Sequence, residues 1–305
     1  MKLFRSKQIS SFSHTLDDGR VMIFDGFWAG FQPVKDFGFW IDLLPQFCDK
    51  ETVRVLGPFW RQNNRKQLEE IWEKFGPWDY FITGENRDNC VDLARKCIGF
   101  RLPKTKNELR FPYWQWYLTW SGYELAPPYE RFGERLSVEN LTRPIREVFD
   151  TPLRAEFDHL SSKAVLLTSH FKRHRRRLWR ITDKAMGCDA FGRKIRPSTL
   201  PKKTLLEAYP FNLCPENKVG EGYITEKIPE AFLCGCIPIT YCDPGDLALD
   251  FNPKAVINLY GLSKQESISL LRLAATDYDF FQTLRSEPLL LSQPNMSPLL
   301  EFLAA

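Results

Sequence analysis

"YPFNLCPENKVGEGYITEKIPEAFLCGCIPITY", residues 209–241, is the stretch on which the reading of this chain turns. Two apolar runs, Phe211–Cys214 and Cys236–Tyr241, bracket it, and both have the length and composition of buried strands. Between them a polar loop with Gly220 and Gly222 leads into "ITEKIPEAFLCG" (224–235), which reads as a helix. Strand, loop, helix and strand in that order make the unit of a parallel sheet. Thr225 is the expected N-cap, and Pro229 is tolerable because it falls in the first turn. Lys227 then stands at the positive pole of the helix dipole, where a cation costs about 0.3–1 kcal/mol. An anionic ligand would reverse that cost, since free N–H groups at a helix start and one ammonium together form an anion site. A solvated lysine is the alternative. Gly220 and Gly222, which let backbone approach a ligand closely, weigh on the side of a site.

The same alternation extends in both directions. Upstream, "RVMIFDGFW" (20–28), "VRVLGPFW" (53–60), "WDYFITGEN" (78–86) and "KCIGFRL" (96–102) read as strands. "VKDFGFWIDLLPQF" (34–47) and "NRKQLEEIWEKFG" (64–76) read as the helices between them. Around and beyond the quoted stretch, strands are expected at 163–171, 211–217, 236–242 and 254–260. Helices are expected at 173–187, 263–275 and 277–286. The aromatic segment "RFPYWQWYLTWSGYELAPPYERFGE" (110–134) reads as core rather than as a sugar platform. Two α/β series of this size imply two Rossmann-like domains facing a cleft, with ligands at the carboxyl ends of the strands. One large α/β domain is the alternative. The boundaries fall at 1–155 for the first domain and 156–285 for the second, with a tail over 286–305 packing back on the first.

With 43% hydrophobic and 26% charged residues the chain is globular, and no run of about 18 apolar residues suggests a transmembrane helix. The N-terminus is basic but lacks a signal-peptide core, which points to a cytoplasmic chain or a soluble piece of something larger. The formal charge of +4 suits an anionic small ligand better than a long nucleic acid. Eight cysteines lie mostly in apolar runs without Cys-x-x-Cys spacing and read as buried thiols. The four histidines form no ligand pattern.

Two further features bear on chemistry. "FKRHRRRLWR" (171–180) follows a strand directly, so one of its arginines is placed to clamp a phosphate. A nucleic-acid patch or a membrane-surface patch is the competing reading of that run. Glu85, beside Gly84 just past a strand that should be buried, is placed to act as general base if it faces a ligand. A solvated turn glutamate is its plainer reading.

"FNLCPEN", "GYITEKI" and the following "IPI" resemble the signature region of glycosyltransferase family 10, the α1,3/α1,4-fucosyltransferases, and "LDFNPKAVINL" (249–259) extends the match. "FDGFWAGF", "YFITGENRDNCVDLARKCIGF" (80–100), "LRFPYW" (109–114) and "GCDAFGRK" (187–194) resemble other blocks of the bacterial members. The resemblance covers about residues 20–260. It implies a two-domain GT-B fold, inversion at the sugar and GDP-fucose as donor. Carried over, Glu85 matches the general base, and Arg176, seven residues after Ser169, matches the arginine on the donor pyrophosphate. Asn217, Tyr223, Glu226 and Lys227 match donor contacts. His170 departs from the family's usual Asn, and the heptad array and basic tail of some bacterial members are missing.

The expected function is transfer of fucose from GDP-fucose to a glycan hydroxyl, O3 of GlcNAc or Glc, on an oligosaccharide or glycolipid. No Asp-x-Asp stands at the end of an expected strand, so a divalent metal is not expected to be essential. Phe27, Trp28 and the 110–120 aromatics are the candidate acceptor contacts. Peripheral contact with the inner face of a membrane is compatible with this reading, and nucleic acid is not an expected partner. The alternatives are a GT-B enzyme using another GDP-sugar or linkage, and a non-catalytic basic protein binding glycan or RNA.

Overall fold

The computed structural model describes residues 11–60, 65–86, 92–120, 132–150 and 154–305. The expectations that touch Cys90 and residues 121–131 lie outside the described residues. The chain divides into two compact units, Met1–Tyr129 with Asn295–Ala305, and Glu130–Pro294.

The first unit is built on a six-stranded sheet. β1 (Phe12–Thr15) pairs antiparallel with β2 (Val21–Asp25). β3 (Thr52–Leu56), β4 (Trp78–Ile82), β5 (Ala94–Gly99) and β6 (Glu108–Arg110) follow in parallel, side by side in sequence order. Every residue of β4 is buried, as expected of a strand covered on both faces. α1 (Pro33–Leu43) starts on a proline already set to a helical φ and turns Phe37, Phe39, Trp40, Ile41 and Leu43 inward. α2 is Arg65–Phe75. Phe111, Trp114, Trp116 and Trp120 are buried, and Phe111 and Trp116 pack on Trp40, so the described part of the aromatic segment is core.

The second unit begins with short helices, α3 (Val138–Leu141), α4 (Ile145–Val148) and α5 (Arg154–His159). A parallel α/β series follows: β7 (Ala164–Leu167), α6 (Arg173–Met186), β8 (Cys188–Phe191), α7 (Lys202–Glu207) and β9 (Phe211–Leu213). It continues through α8 (Lys227–Phe232), β10 (Ile237–Thr240), α9 (Pro244–Asp250) and β11 (Ile257–Asn258). α10 (Lys264–Thr276), held at its start by a Ser263–Glu266 capping box, and α11 (Tyr278–Arg285) complete the unit. The strand order is β11-β10-β9-β7-β8. The chain steps outward from β7 to β8, then returns to the other side of β7 to lay down β9. That reversal is a topological switch point, where open α/β sheets bind ligands. The first sheet runs in sequence order and has no such point.

α12 (Ser297–Ala304) belongs to the first unit, where the Leu303 carbonyl accepts a hydrogen bond from Lys96 Nζ at 2.7 Å. The division between units falls at Tyr129/Glu130 rather than at 155/156, because the segment holding α3 and α4 packs with the second unit. There, the Leu141 carbonyl accepts from Leu290 N, and Phe149 lies against Gly235. The seven described cysteines are free thiols. Among the described residues no helix is long and apolar enough to cross a membrane.

Candidate functional site

At the switch point, the carboxyl ends of β7 and β9 frame a pocket. Leu166, Leu167, Leu206 and Leu213 form its apolar wall, and Arg175, Lys202 and Lys227 bring three cations to it.

Arg175 is buried on the inner face of α6, in register with buried Leu178 and Thr182. Its guanidinium donates to Thr168 Oγ1 at 2.6 Å and to the Pro215 carbonyl at 3.2 Å, tying the end of β7 to the loop after β9. Its Nε is buried and has no hydrogen-bond partner in the protein. Burial lowers the Arg175 pKa, against the opposing pull of Glu216, Tyr223 and Glu226. Gly192 is fixed by the same corner: a Cβ there would meet the Thr168 carbonyl oxygen at 1.8 Å.

Lys227 is held by carboxylates. Its Nζ lies 2.7 Å from Glu216 Oε2 and 4.0 Å from Glu226 Oε1, and it donates to Thr225 Oγ1. Buried Glu216 also accepts from the Thr225 N–H at 2.7 Å and the Thr225 hydroxyl at 2.8 Å. Burial alone would lower the Lys227 pKa, but Glu216 and Glu226 outweigh it and the ammonium is stabilised. Burial would raise the Glu226 carboxyl, yet Lys227, Lys202 and the Thr225 hydrogen bond hold it at about 2. Lys202 forms an ion pair with Glu230. Burial dominates at Glu230 and raises its carboxyl to about 7 despite that partner. The result is a compact set of three cations and three carboxylates around one pocket.

The reading of Lys227 as a lysine opposing a helix dipole is corrected by this geometry. The helix spans only Lys227–Phe232, with Glu226 at the N-cap position and no side-chain cap. Thr225 is engaged with Glu216 instead of capping. So short a helix has little dipole to oppose, and the ammonium is stabilised by side-chain carboxylates.

The other expected site residues are distributed unevenly. Glu226 stands in the charged cluster. Tyr223 is buried and its N–H donates to the Gly220 carbonyl, while Asn217 is exposed on the same loop. Arg176 points away from the pocket: it is exposed, with its guanidinium over the Phe171 ring at 5.4 Å. Its neighbour Arg175 is the arginine that lines the pocket. Glu85 belongs to the first unit, exposed in the turn just past β4. That turn is set by Thr83, whose hydroxyl accepts from Glu85 N at 3.1 Å and donates to the Glu85 carbonyl at 2.9 Å. Gly84 is required there, because a Cβ would meet the Tyr113 ring at 2.1 Å. Asp25, the other carboxylate at a strand end of this sheet, is buried and accepts from Ser11 Oγ and the Trp78 indole N–H, so it is structural. Trp28 is 39% exposed whereas Phe27 is buried.

Residues 159–281 match the profile described as "Glycosyltransferase family 10 (fucosyltransferase) C-term". The alpha-(1,3)-fucosyltransferase FucT of Helicobacter pylori is 41% identical over 76 residues, which are 25% of this chain and 16% of that relative. Among solved structures, one described as alpha1,3-fucosyltransferase superposes with a TM-score of 0.65 at 19% identity, over 92% of this chain and 87% of that one. One described as alpha1,3-fucosyltransferase with GDP-fucose gives 0.60 at 20% identity, over 90% and 86%. At this level of identity the likeness establishes the fold, which is of the GT-B type.

Proposed function

We propose that this chain, a member of glycosyltransferase family 10 through residues 159–281, is an inverting fucosyltransferase that uses GDP-fucose and a glycan acceptor. The observation that carries the reading is the pocket at the β7/β9 reversal, where Arg175, Lys202 and Lys227 converge and Arg175 Nε is left without a protein partner. A diphosphate is the kind of anion that a guanidinium and two ammonium groups would grip.

In the proposed reaction a hydroxyl of the acceptor attacks the anomeric carbon opposite GDP. The Glu85 carboxylate takes the hydroxyl proton as the new glycosidic bond forms. Arg175 and Lys227 stabilise the negative charge that gathers on the departing diphosphate, with no bound metal required. Trp28, exposed after β2, offers a ring face to the acceptor. Transfer from GDP-fucose to an array of oligosaccharides, assayed in chelator with the product linkage determined, tests this reading. Fucosylated product in chelator is expected. GDP binding without transfer from GDP-fucose would move the donor to another GDP-sugar.

A further inference from the structure

The arginine run on α6 has two faces with different duties. Arg175 is turned inward, while Arg173, Arg176, Arg177, Arg180 and Lys184 are all exposed. Those positions are spaced i, i+3, i+4, i+7 and i+11, so they fall within an arc of about 100° and run about 16 Å along the helix. No carboxylate pairs with any of the five among the described residues. Asp183, on the same helix, is engaged by Cys188 N, and Glu266 of neighbouring α10 by its capping box. Five unpaired cations on one stripe exceed the formal net charge of the entire chain, which is +4. Exposed Lys172, Arg193 and Lys194 continue the positive field past the start of α6. Beside them the His170 imidazole pKa is lowered by burial first and then by these neighbours.

We propose that the exposed face of α6 is a docking surface for an anionic lipid bilayer. The opposite face is fully committed: Arg175, Leu178, Ile181, Thr182 and Met186 are buried and the helix packs on α10, β7 and β8. It therefore presents one shallow convex stripe, which suits an extended charged plane better than a groove that a helix must enter. A single-stranded nucleic acid would need rings on which to stack bases. The one indole on α6, Trp179, donates to the Cys188 carbonyl and packs edge-on against Phe171. No large apolar side chain is exposed on α6, so attachment is electrostatic, reversible and salt-sensitive. This inference needs only the α6 surface and stands apart from the proposed catalysis.

The test is co-sedimentation of the full chain with phosphatidylglycerol/phosphatidylcholine vesicles and with pure phosphatidylcholine vesicles, at low and moderate salt. Binding to the anionic vesicles alone, weakening with salt, is expected. Each cation near the surface contributes about fivefold, so Arg177→Ala alone loses about fivefold and Arg177→Ala/Arg180→Ala/Lys184→Ala about a hundredfold. Circular dichroism of both variants confirms that the helix content is kept, and the single variant with the salt titration decides the matter if the triple variant does not fold. Equal binding to both vesicle types, undiminished binding by the variants, or tighter binding to duplex RNA than to anionic vesicles would overturn the proposal.

Discussion

Lys227 Nζ lies 2.7 Å from Glu216 Oε2, and Glu216 in turn fixes Thr225 through both its backbone N–H and its hydroxyl. The pair joins the loop after β9 to the start of α8 and leaves an ammonium at the pocket wall. Lys227→Ala is therefore expected to act twice. It removes a charge-assisted contact to diphosphate, about 1.5–3 kcal/mol of GDP affinity. It also strands a buried carboxylate, which lowers stability by a comparable amount. Adding Glu216→Gln relieves the stranded charge, so the double variant should regain stability in a denaturant titration without regaining GDP affinity. Recovery of both would make Lys227 purely structural.

Glu230 and Glu226 depart from the ordinary carboxylate range in opposite directions, to about 7 and about 2. Between the unfolded value near 4.5 and pH 7, folded Glu230 keeps a proton that the unfolded chain has lost, so its contribution to stability falls as pH rises through that window. Glu226 behaves oppositely: its contribution is present above about pH 4.5 and is lost as pH falls toward 2. Denaturant midpoints between pH 5 and 8 should decline less steeply in Glu230→Gln than in the unaltered chain. Identical slopes would show that Glu230 is already ionised throughout.

Glu85→Gln should separate chemistry from binding. Gln is nearly isosteric and cannot accept the acceptor's proton, so transfer is expected to fall about 10²–10⁴-fold. GDP affinity should stay at its original level, because the proposed donor pocket is lined by residues of the second unit alone. Transfer within a few-fold of the original would reduce Glu85 to a turn residue.

Gly84→Ala tests whether that turn needs its glycine. The added methyl would have to displace the Tyr113 ring, and overpacking of this kind costs about 1–3 kcal/mol. A drop in thermal stability together with slower transfer is expected. Unchanged behaviour would show that the ring moves aside freely.

Much of this molecule is legible in its sequence. Apolar runs locate β3, β4, β7, β9 and β10, because strands buried on both faces leave a continuous apolar signal, and β2 shows as an alternating one. β1 and β6 are half-exposed, and α7 is only six residues long, so none leaves a strong periodic trace. In the site, Lys227 and Glu226 are found from their motif, but the partners that give them meaning are distant. Lys202 reaches Glu230 across 28 positions, a contact that only the fold creates. The arginine was legible in principle: Arg175 shares a helical face with Leu178 and Thr182, whereas Arg176 shares one with Arg173 and Arg180. Counting from Ser169 by motif spacing selects Arg176, and helical periodicity selects Arg175.

That one-residue difference gives the most direct test of the proposed donor pocket. Calorimetric titration of GDP in chelator, on the unaltered chain, Arg175→Ala and Arg176→Ala, separates a buried clamp from a surface charge. Micromolar-class or tighter binding is not required; the ratio is what matters. The expected result is a loss of about 1.5–3 kcal/mol for Arg175→Ala, roughly a factor of 10–150, with Arg176→Ala close to the unaltered chain. Equal small losses for both variants, or binding that disappears in chelator and returns with manganese, would contradict a metal-independent diphosphate site at the β7/β9 reversal.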